Sequence, residues 1–466
     1  MDVTVTITIL VQLLVLVVFA NRYFTGTFLR MVKGKNFDEK RDDYEPTVSI
    51  VVPMFNEGNG IYQTVKSLLE LDYPQEKLSI IVVDDCSTDD SHAWATKASR
   101  DFGNVTVLKN PQNMGKRRSI NHAVRRAQSE IIVSVDSDVV VHPRAVRELV
   151  ARFVKPEIAA VGGRVHVINR HENWLTKMQA IKYFFGYEYL KNTERAFQSV
   201  MCLSGCLTAY RREVLMDLEP ILENRNICGI AIKYGEDRFL TRQIVKAGWK
   251  TTLTLDAISY TKAPPTLSGY FAQQLRWRRS NLVDYFGGIS HAWALHPVVA
   301  VHYLSLFALM IVYPIFIFHA LRSGRFFDMA ALHVAVLSAF AFAYQYHALK
   351  LPKEERVHPI YFLAMAIIMP VTYIVLTPVA LFTLDSGSWE TRGHSKLVAD
   401  GTTLDDAVIE SDAVDASVLE VMSASPSLAA AGAGIATVTH ISEAPRHVDD
   451  SEPAPVRIVA RAAGRS

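Results

Sequence analysis

The chain has 466 residues, enough for two or three domains with a sizeable core. Its 49 Lys and Arg nearly balance 47 Asp and Glu, and a net charge of +2 gives no electrostatic support to nucleic-acid binding. Hydrophobic residues make up 50% of the sequence and are unevenly spread, with long apolar runs near the N-terminus and again from about residue 296, the pattern of a membrane protein. Residues 3–20 form an uncharged apolar stretch, long enough to cross a ~30 Å hydrocarbon core as a helix. Asp2 precedes it and Asn21-Arg22 come after it, so it lacks the basic start and small-residue cleavage site of a signal peptide. Arg22, Arg30, Lys33 and Lys35 lie just beyond. By the positive-inside rule this predicts a transmembrane helix over residues 1–24, with the chain beyond it in the cytosol. Cys86, Cys202, Cys206 and Cys228 show no Cys-x-x-Cys pair and no His at zinc spacing, so they read as reduced and cytosolic.

From 47 to 167 strands and helices alternate. Thr47 to Pro53 is an apolar strand, and 60–71 carries apolar residues at helical spacing until Tyr73-Pro74 stops it. Leu78 to Asp84 is a second strand, followed by an Asp-rich turn and a helix to about Phe102. Val105 to Lys109 is a third, and a loop ending at Gly115 leads into a basic helix from Lys116. The continuous apolar run from Ile131 ends in Asp136 and Asp138 and reads as a strand buried on both faces. Another helix comes after Pro143. The alternation predicts a parallel, Rossmann-like α/β sheet with right-handed crossovers. The first strand is not followed by Gly-x-Gly-x-x-Gly, and no P-loop occurs, so the usual dinucleotide and NTPase phosphate cradles are missing.

Residues 174–190 are aromatic and too polar to span. They suit a helix lying at the membrane interface or a surface helix with an aromatic core stripe, and 266–286 are similar but more basic. Three apolar stretches within 296–384 each exceed the ~20 residues a span needs. Pro370 and Pro378 interrupt the last, leaving a kinked or re-entrant element open. Residues 400–466 hold no aromatic side chain and predict a disordered tail.

Carboxylates one residue apart at the C-terminal edge of such a sheet suit a divalent cation that holds a diphosphate, so Asp136 and Asp138 are candidate ligands; an Asp-rich turn is the structural alternative. Asp84 and Asp85 end the second strand, where a base or ribose would lie. Four carboxylates on one edge repel unless a cation or a hydrogen-bonded ligand neutralises them. Lys116, Arg117 and Arg118 open a helix, where cations oppose the dipole but suit a diphosphate; a solvated basic face is the alternative. Asp237, in Gly235-Glu236-Asp237-Arg238, reads either as a helix N-cap or as a general base free of the metal. Gln273-Gln274-Leu275-Arg276-Trp277 offers a guanidinium fork for phosphate and an indole plane for a pyranose face.

These motifs, in this order, resemble the processive inverting family 2 glycosyltransferases, namely the hyaluronan, chitin and cellulose synthases. The likeness runs from about residue 47 to Trp277 and leans toward the hyaluronan synthase and rhizobial chitooligosaccharide synthase branch. It implies a GT-A domain over 45–290, a UDP-sugar donor, Mg2+ or Mn2+, a growing polysaccharide as acceptor, and a multi-pass protein of the plasma membrane whose catalytic domain is cytoplasmic. It further implies that Asp84 or Asp85 contacts uridine, Lys116 the diphosphate, and Asp136 and Asp138 the metal. Asp237, beside Glu236, would be the base. Gln273, Arg276 and Trp277 would hold donor phosphates and the acceptor end, and Cys202, Gly205 and Cys206 would line the acceptor site. The expected activity is polymerisation of UDP-GlcNAc, alone or with UDP-GlcA, into a chitin- or hyaluronan-like chain. A non-processive enzyme adding one sugar to a lipid is the alternative. A transporter with a nucleotide-sensing domain is a third reading, but His302, His319 and His333 are few for a conduction path. Two features depart from the pattern: a single N-terminal span replaces two, and Trp389-Glu-Thr-Arg-Gly393 resembles a cytosolic gating segment that three full spans would carry outside. Either the Pro-broken segment does not cross, or Trp389 does not gate.

Overall fold

A computed structural model describes residue 28 and residues 39–385, apart from 228, 233, 293 and 294. The predicted span over 1–24, Cys228, the Trp389 segment and the predicted tail over 400–466 lie outside the described residues. The first half runs β1 (Val48–Met54), α1 (Gly60–Leu69), β2 (Leu78–Asp84), α2 (Ser91–Asp101), β3 (Val105–Lys109), α3 (Lys116–Arg126), β4 (Ile131–Ser134), β5 (Val139–Val141), α4 (Ala145–Val150) and β6 (Ile158–Val167). Then come α5 (Trp174–Phe185), α6 (Asn192–Ala196), β7 (Thr208–Arg211), α7 (Arg212–Glu223), the small hairpin β8 (Asn226–Ile227) and β9 (Ile230–Ala231), α8 (Glu236–Lys246) and β10 (Lys250–Thr261). Long helices close the described chain: α9 (Leu267–Ala292), α10 (Pro297–Arg322) and α11 (Phe326–Ala348), followed by the short α12 (Met365–Val371) and α13 (Thr377–Leu381).

Eight strands form one sheet in the order β3-β2-β1-β4-β7-β6-β10-β5. Strands β1 to β4 pair in parallel, as the alternation predicts. The sheet as a whole is mixed, because β7 runs antiparallel to β4 and β6, and β5 antiparallel to β10. These two strands have four and three residues, too short for a periodicity that would reveal their direction. Every residue of β1 and β4 is buried, which explains why these central strands read as unbroken apolar runs. Successive side chains alternate between two cores: Ile50 and Val52 pack with Leu68 and Trp94 on one face, and Val51 packs with Val124, Leu218 and Ile244 on the other. Strand β1 is flanked by β2 and by β4, with crossovers leaving in opposite directions. That reversal opens a crevice at the C-terminal ends of these strands, the position at which open α/β sheets take ligands.

Three helical segments, Pro297–Arg322, Phe326–Ala348 and Lys353–Leu381, are long and apolar enough to cross a membrane. The aromatic stripe of α5 packs on the second and third of them: Phe184 lies 5.1 Å from the Tyr344 ring, and Phe185 lies 5.1 Å from Phe340 and 5.2 Å from Phe362. The third segment is broken, in keeping with Pro370 and Pro378, into a 3-10 turn over Pro359–Ala364, α12, a π turn over Thr372–Leu376 and α13. It starts beside α5 and ends against α9 and the loop before α8, where Thr383 Oγ1 accepts from Arg279 Nε at 3.0 Å and the Leu384 carbonyl accepts from the Tyr234 hydroxyl at 2.8 Å. Its other end meets the loop after β6, where Glu354 and Glu355 lie against His171 and Arg170.

Candidate active site

The crevice is fastened from below by the two aspartates that end β2. Asp85 is fully buried, and its oxygens accept from Asn110 Nδ2 at 2.7 Å, Met114 N at 2.8 Å and Gly115 N at 2.7 Å. Three donors on one carboxylate lock the loop that delivers Lys116 to the first turn of α3. Gly115 has φ +84°, a left-handed conformation that suits glycine. Asp84 is equally buried, accepting from Ser87 N at 2.9 Å and facing His92 Nδ1 at 3.0 Å. The geometry of Asp85 makes it a loop anchor, its charge met by three donors of the protein's own loop.

Lys116 is the hub. Its ammonium lies 2.6 Å from Asp136 Oδ1 and 2.8 Å from Glu236 Oε1, joining the turn after β4 to the start of α8. Burial works against the charged lysine, but Asp136, Glu236 and Asp237 overcome it and hold its pKa well above the ordinary value. The neighbouring acids part company. Burial opposes ionisation of Glu236, yet the Lys116 ammonium prevails and keeps that carboxyl below its usual range. Burial, reinforced by the charge of Glu236, pushes Asp237 above its usual range. One acid is thus locked as a carboxylate while its neighbour is tuned toward accepting a proton, a division of labour that adjacent catalytic acids use. The helix N-cap is Gly235, not Asp237, so the capping alternative does not apply.

Of the three cations at α3, Lys116 is the one paired with Asp136 and Glu236. Arg117 donates to the carbonyls of Ile232 at 3.0 Å and Glu223 at 3.4 Å, bracing the chain before α8, and Arg118 is exposed. Gly205 comes so close that a Cβ there would lie 2.8 Å from Lys116 Nζ and 3.2 Å from Asp136 Oδ1. The loop carrying Cys202, Gly205 and Cys206 is tied to α8 by Leu203 N donating to Thr241 Oγ1 at 3.1 Å, while that hydroxyl donates to the Asp237 carbonyl at 2.7 Å. Burial raises both thiols out of the reactive range; for Cys206 the charges of Asp136 and Asp138 add to the effect.

Asp136 and Asp138 both act electrostatically on Cys206. Among the described residues no group of three or more His, Cys, Asp and Glu side chains could enclose a metal ion. Two carboxylates one residue apart suit Mg2+ or Mn2+, which are commonly held by one or two carboxylates together with substrate phosphates. Asp136 already has a cation, Lys116, on one oxygen, so the edge is built to hold positive charge.

Helix α9 walls the other side. Arg276 contributes to holding Glu236 ionised, and the Gln273 Oε1 oxygen is buried without a hydrogen-bond donor, leaving it available to a ligand hydroxyl. The Trp277 ring lies 6.3 Å from that of Tyr183 on α5. Sequence reading missed what docks this helix. Asp284 is fully buried, with Arg242 Nε of α8 at 2.7 Å, and the charges of Arg238 and Arg242 oppose the upward push of burial on its carboxyl. Arg225 Nη1 donates to the carbonyls of Tyr234 at 2.6 Å and Gly235 at 2.9 Å, and the Tyr303 hydroxyl of α10 donates to the Asp284 carbonyl at 2.7 Å. Glycines make this joint possible. A Cβ on Gly235 would lie 2.0 Å from Ser280 Oγ, one on Gly287 2.9 Å from the Arg242 guanidinium, and one on Gly288 1.9 Å from the Tyr303 hydroxyl. The paired glycines at 287 and 288 were the available sequence signal.

Comparison with known proteins places this geometry. The model of Glycosyl transferase family 2 matches residues 49–219. An N-acetylglucosaminyltransferase of Rhizobium meliloti (strain 1021) is 35% identical over 258 residues, covering 55% of this chain and 60% of that protein. One from Azorhizobium caulinodans is 34% identical, covering 51% and 60%. The chain thus spans about 60% of the length of these two relatives. A hyaluronan synthase of Streptococcus pyogenes serotype M1 is 27% identical over 373 residues, covering 76% of this chain and 85% of that one. Among solved structures, a mannosyltransferase from Pyrobaculum calidifontis, in complex with GDP-Man and Mn2+, has the same fold at a TM-score of 0.53 and 20% identity, covering 80% of this chain and 99% of its own. The chain carries, over residues 49–219 and with Asp84, Lys116 and Asp136 inside it, a family 2 glycosyltransferase domain.

Proposed function

We propose that the protein is a membrane-embedded, inverting β-glycosyltransferase that polymerises UDP-activated sugars. UDP-GlcNAc is the proposed donor, alone for a chitin-like product or alternating with UDP-GlcA for a hyaluronan-like one; the names of the relatives support this choice. The observation that carries the reading is the split between Glu236 and Asp237 around Lys116. The donor diphosphate lies against Lys116 and Arg276, and the nucleoside lies over the loop that Asp84 and Asp85 hold. Asp136 and Asp138 would hold Mg2+ or Mn2+, which when bound neutralises charge on the departing diphosphate. An acceptor hydroxyl gives its proton to Asp237 as its oxygen forms a bond to the anomeric carbon from the face opposite the leaving group. The anomeric carbon–oxygen bond to phosphate breaks with its electron pair, and UDP departs. Trp277 offers a face to the acceptor sugar and Gln273 an acceptor for one of its hydroxyls, while Cys202, Gly205 and Cys206 border the same space.

The domain would lie on the cytoplasmic side, with α10 and α11 crossing the bilayer. The third apolar segment, whose two ends both contact the α/β domain, is read as re-entrant. The test supplies membranes containing the protein with labelled UDP-GlcNAc and UDP-GlcA, singly and together, and digests the product with chitinase or hyaluronidase. A ladder of β-linked oligomers is the expected result. A lipid carrying a single sugar would contradict polymerisation, and no incorporation from either donor would contradict the donor assignment.

A further inference from the structure

The indole of Trp277 has a second neighbour from α5. Lys182 Nζ lies 5.8 Å from that ring centroid, donates to Gln274 Oε1 at 2.7 Å and to the Tyr270 hydroxyl at 3.4 Å, and sits 5.4 Å over the Tyr270 ring. Each of these partners belongs to α9, the helix that presents Gln273, Arg276 and Trp277. A lysine on such a helix ordinarily extends its ammonium into water. Here the side chain turns inward, and among the described residues no carboxylate pairs with it. Burial, aided by the like charge of Arg278, brings its pKa down to about 7. The titratable groups that face it are Tyr270 and Arg278 of α9. Charged groups on the other elements around α5 are engaged elsewhere: Arg164 of β6 with Glu188 at 2.8 Å, and Lys177 over the Tyr361 ring at 4.8 Å.

We propose that Lys182 is a positioning residue for the acceptor: by gripping Gln274 and Tyr270 it fixes α9 against α5 and so sets the plane of the Trp277 indole on which the acceptor sugar rests. This rests on reading Trp277 as the acceptor platform. The ammonium has three donors and the cation–π attraction; the amine that forms as pH rises keeps weaker donors and loses the charge. Acceptor binding therefore weakens as the pH passes upward through neutrality, while donor binding at Lys116 stays as it is.

The experiment titrates a short β-linked N-acetylglucosamine oligomer as acceptor at saturating UDP-GlcNAc, with the full-length protein in detergent, at about pH 6 and about pH 8.5. In the natural protein the acceptor KM is expected to rise several-fold between the two. Lys182→Met should raise it about tenfold at the lower pH, the factor for one lost charge-assisted contact, with kcat and UDP affinity within about twofold and little pH dependence. Lys182→Arg, which cannot deprotonate, should keep a low KM at both values. An acceptor KM in Lys182→Met equal to that of the natural protein at both values overturns the inference. So does Lys182→Arg with the natural pH dependence, a readout that also serves if the Met variant does not fold. Trp277→Ala separates the two layers. If it raises the acceptor KM while Lys182→Met does not, only the Lys182 role fails; if neither does, the acceptor platform itself is misplaced.

Discussion

The two walls of the crevice are built in different ways. On the β1–β2–β4 side, each functional carboxylate or cation sits at the end of a strand or the start of a helix, and its partners come from the same α/β unit: Asp85 with Gly115, Lys116 with Asp136. On the α8–α9 side, each partner comes from a different helix, as with Asp284 of α9 and Arg242 of α8, Tyr303 of α10 and Asp284, or Lys182 of α5 and Gln274 of α9. The first wall is a product of sheet topology. The second is a docking of helices, and it carries the catalytic half onto the apolar helices. Lys116 bridges them through Glu236, so the two walls are held in register by one side chain.

This contrast can be broken at several points. The largest effect is expected from Asp237→Asn, which should lower the transfer rate by roughly 10²–10⁴-fold, the range of a lost general base, while calorimetry still detects UDP binding. Next comes Asp284→Leu, which leaves buried guanidinium groups uncompensated and should cost about 3–5 kcal/mol, read as a lower melting temperature in detergent with loss of activity. Gly205→Ala should weaken UDP affinity by about tenfold with a smaller change in thermal stability, because its methyl group displaces the Lys116 ammonium from between Asp136 and Glu236. Smallest is Arg118→Ala. Its exposed side chain should leave donor affinity within about twofold, whereas the equivalent change at Lys116 should remove it.

Much of the first wall was legible in the sequence. An apolar run buried on both faces ends in Asp136 because charge cannot continue into a sheet interior, and the Gly115–Lys116 boundary announces a helix start. What the sequence could not give was the partition among like residues. Asp84, Asp85, Asp136 and Asp138 look alike in one dimension, and only three converging N–H donors distinguish Asp85 as an anchor. Arg117 and Lys116 are neighbours on a helix, yet the turn of the helix sends one to a backbone carbonyl 115 residues away and the other to the crevice. The second wall was less legible because its contacts join separate helices, and which helix faces which is not written in any local pattern. The direction of β7 and the contacts of the segment ending at Leu384 were hidden for the same reason: each is decided by what it packs against.

The central claim is that Asp237, perturbed by burial and by Glu236, takes the acceptor proton while Glu236 stays ionised on Lys116. A base acts only when deprotonated, so kcat/KM should fall as pH drops through the raised pKa of Asp237. The measurement is the pH dependence of kcat/KM for UDP-GlcNAc at saturating acceptor. The account predicts an acid limb above the value of about 4 typical of an exposed aspartate, and its disappearance in the residual activity of Asp237→Asn. The same limb persisting in that variant would contradict it.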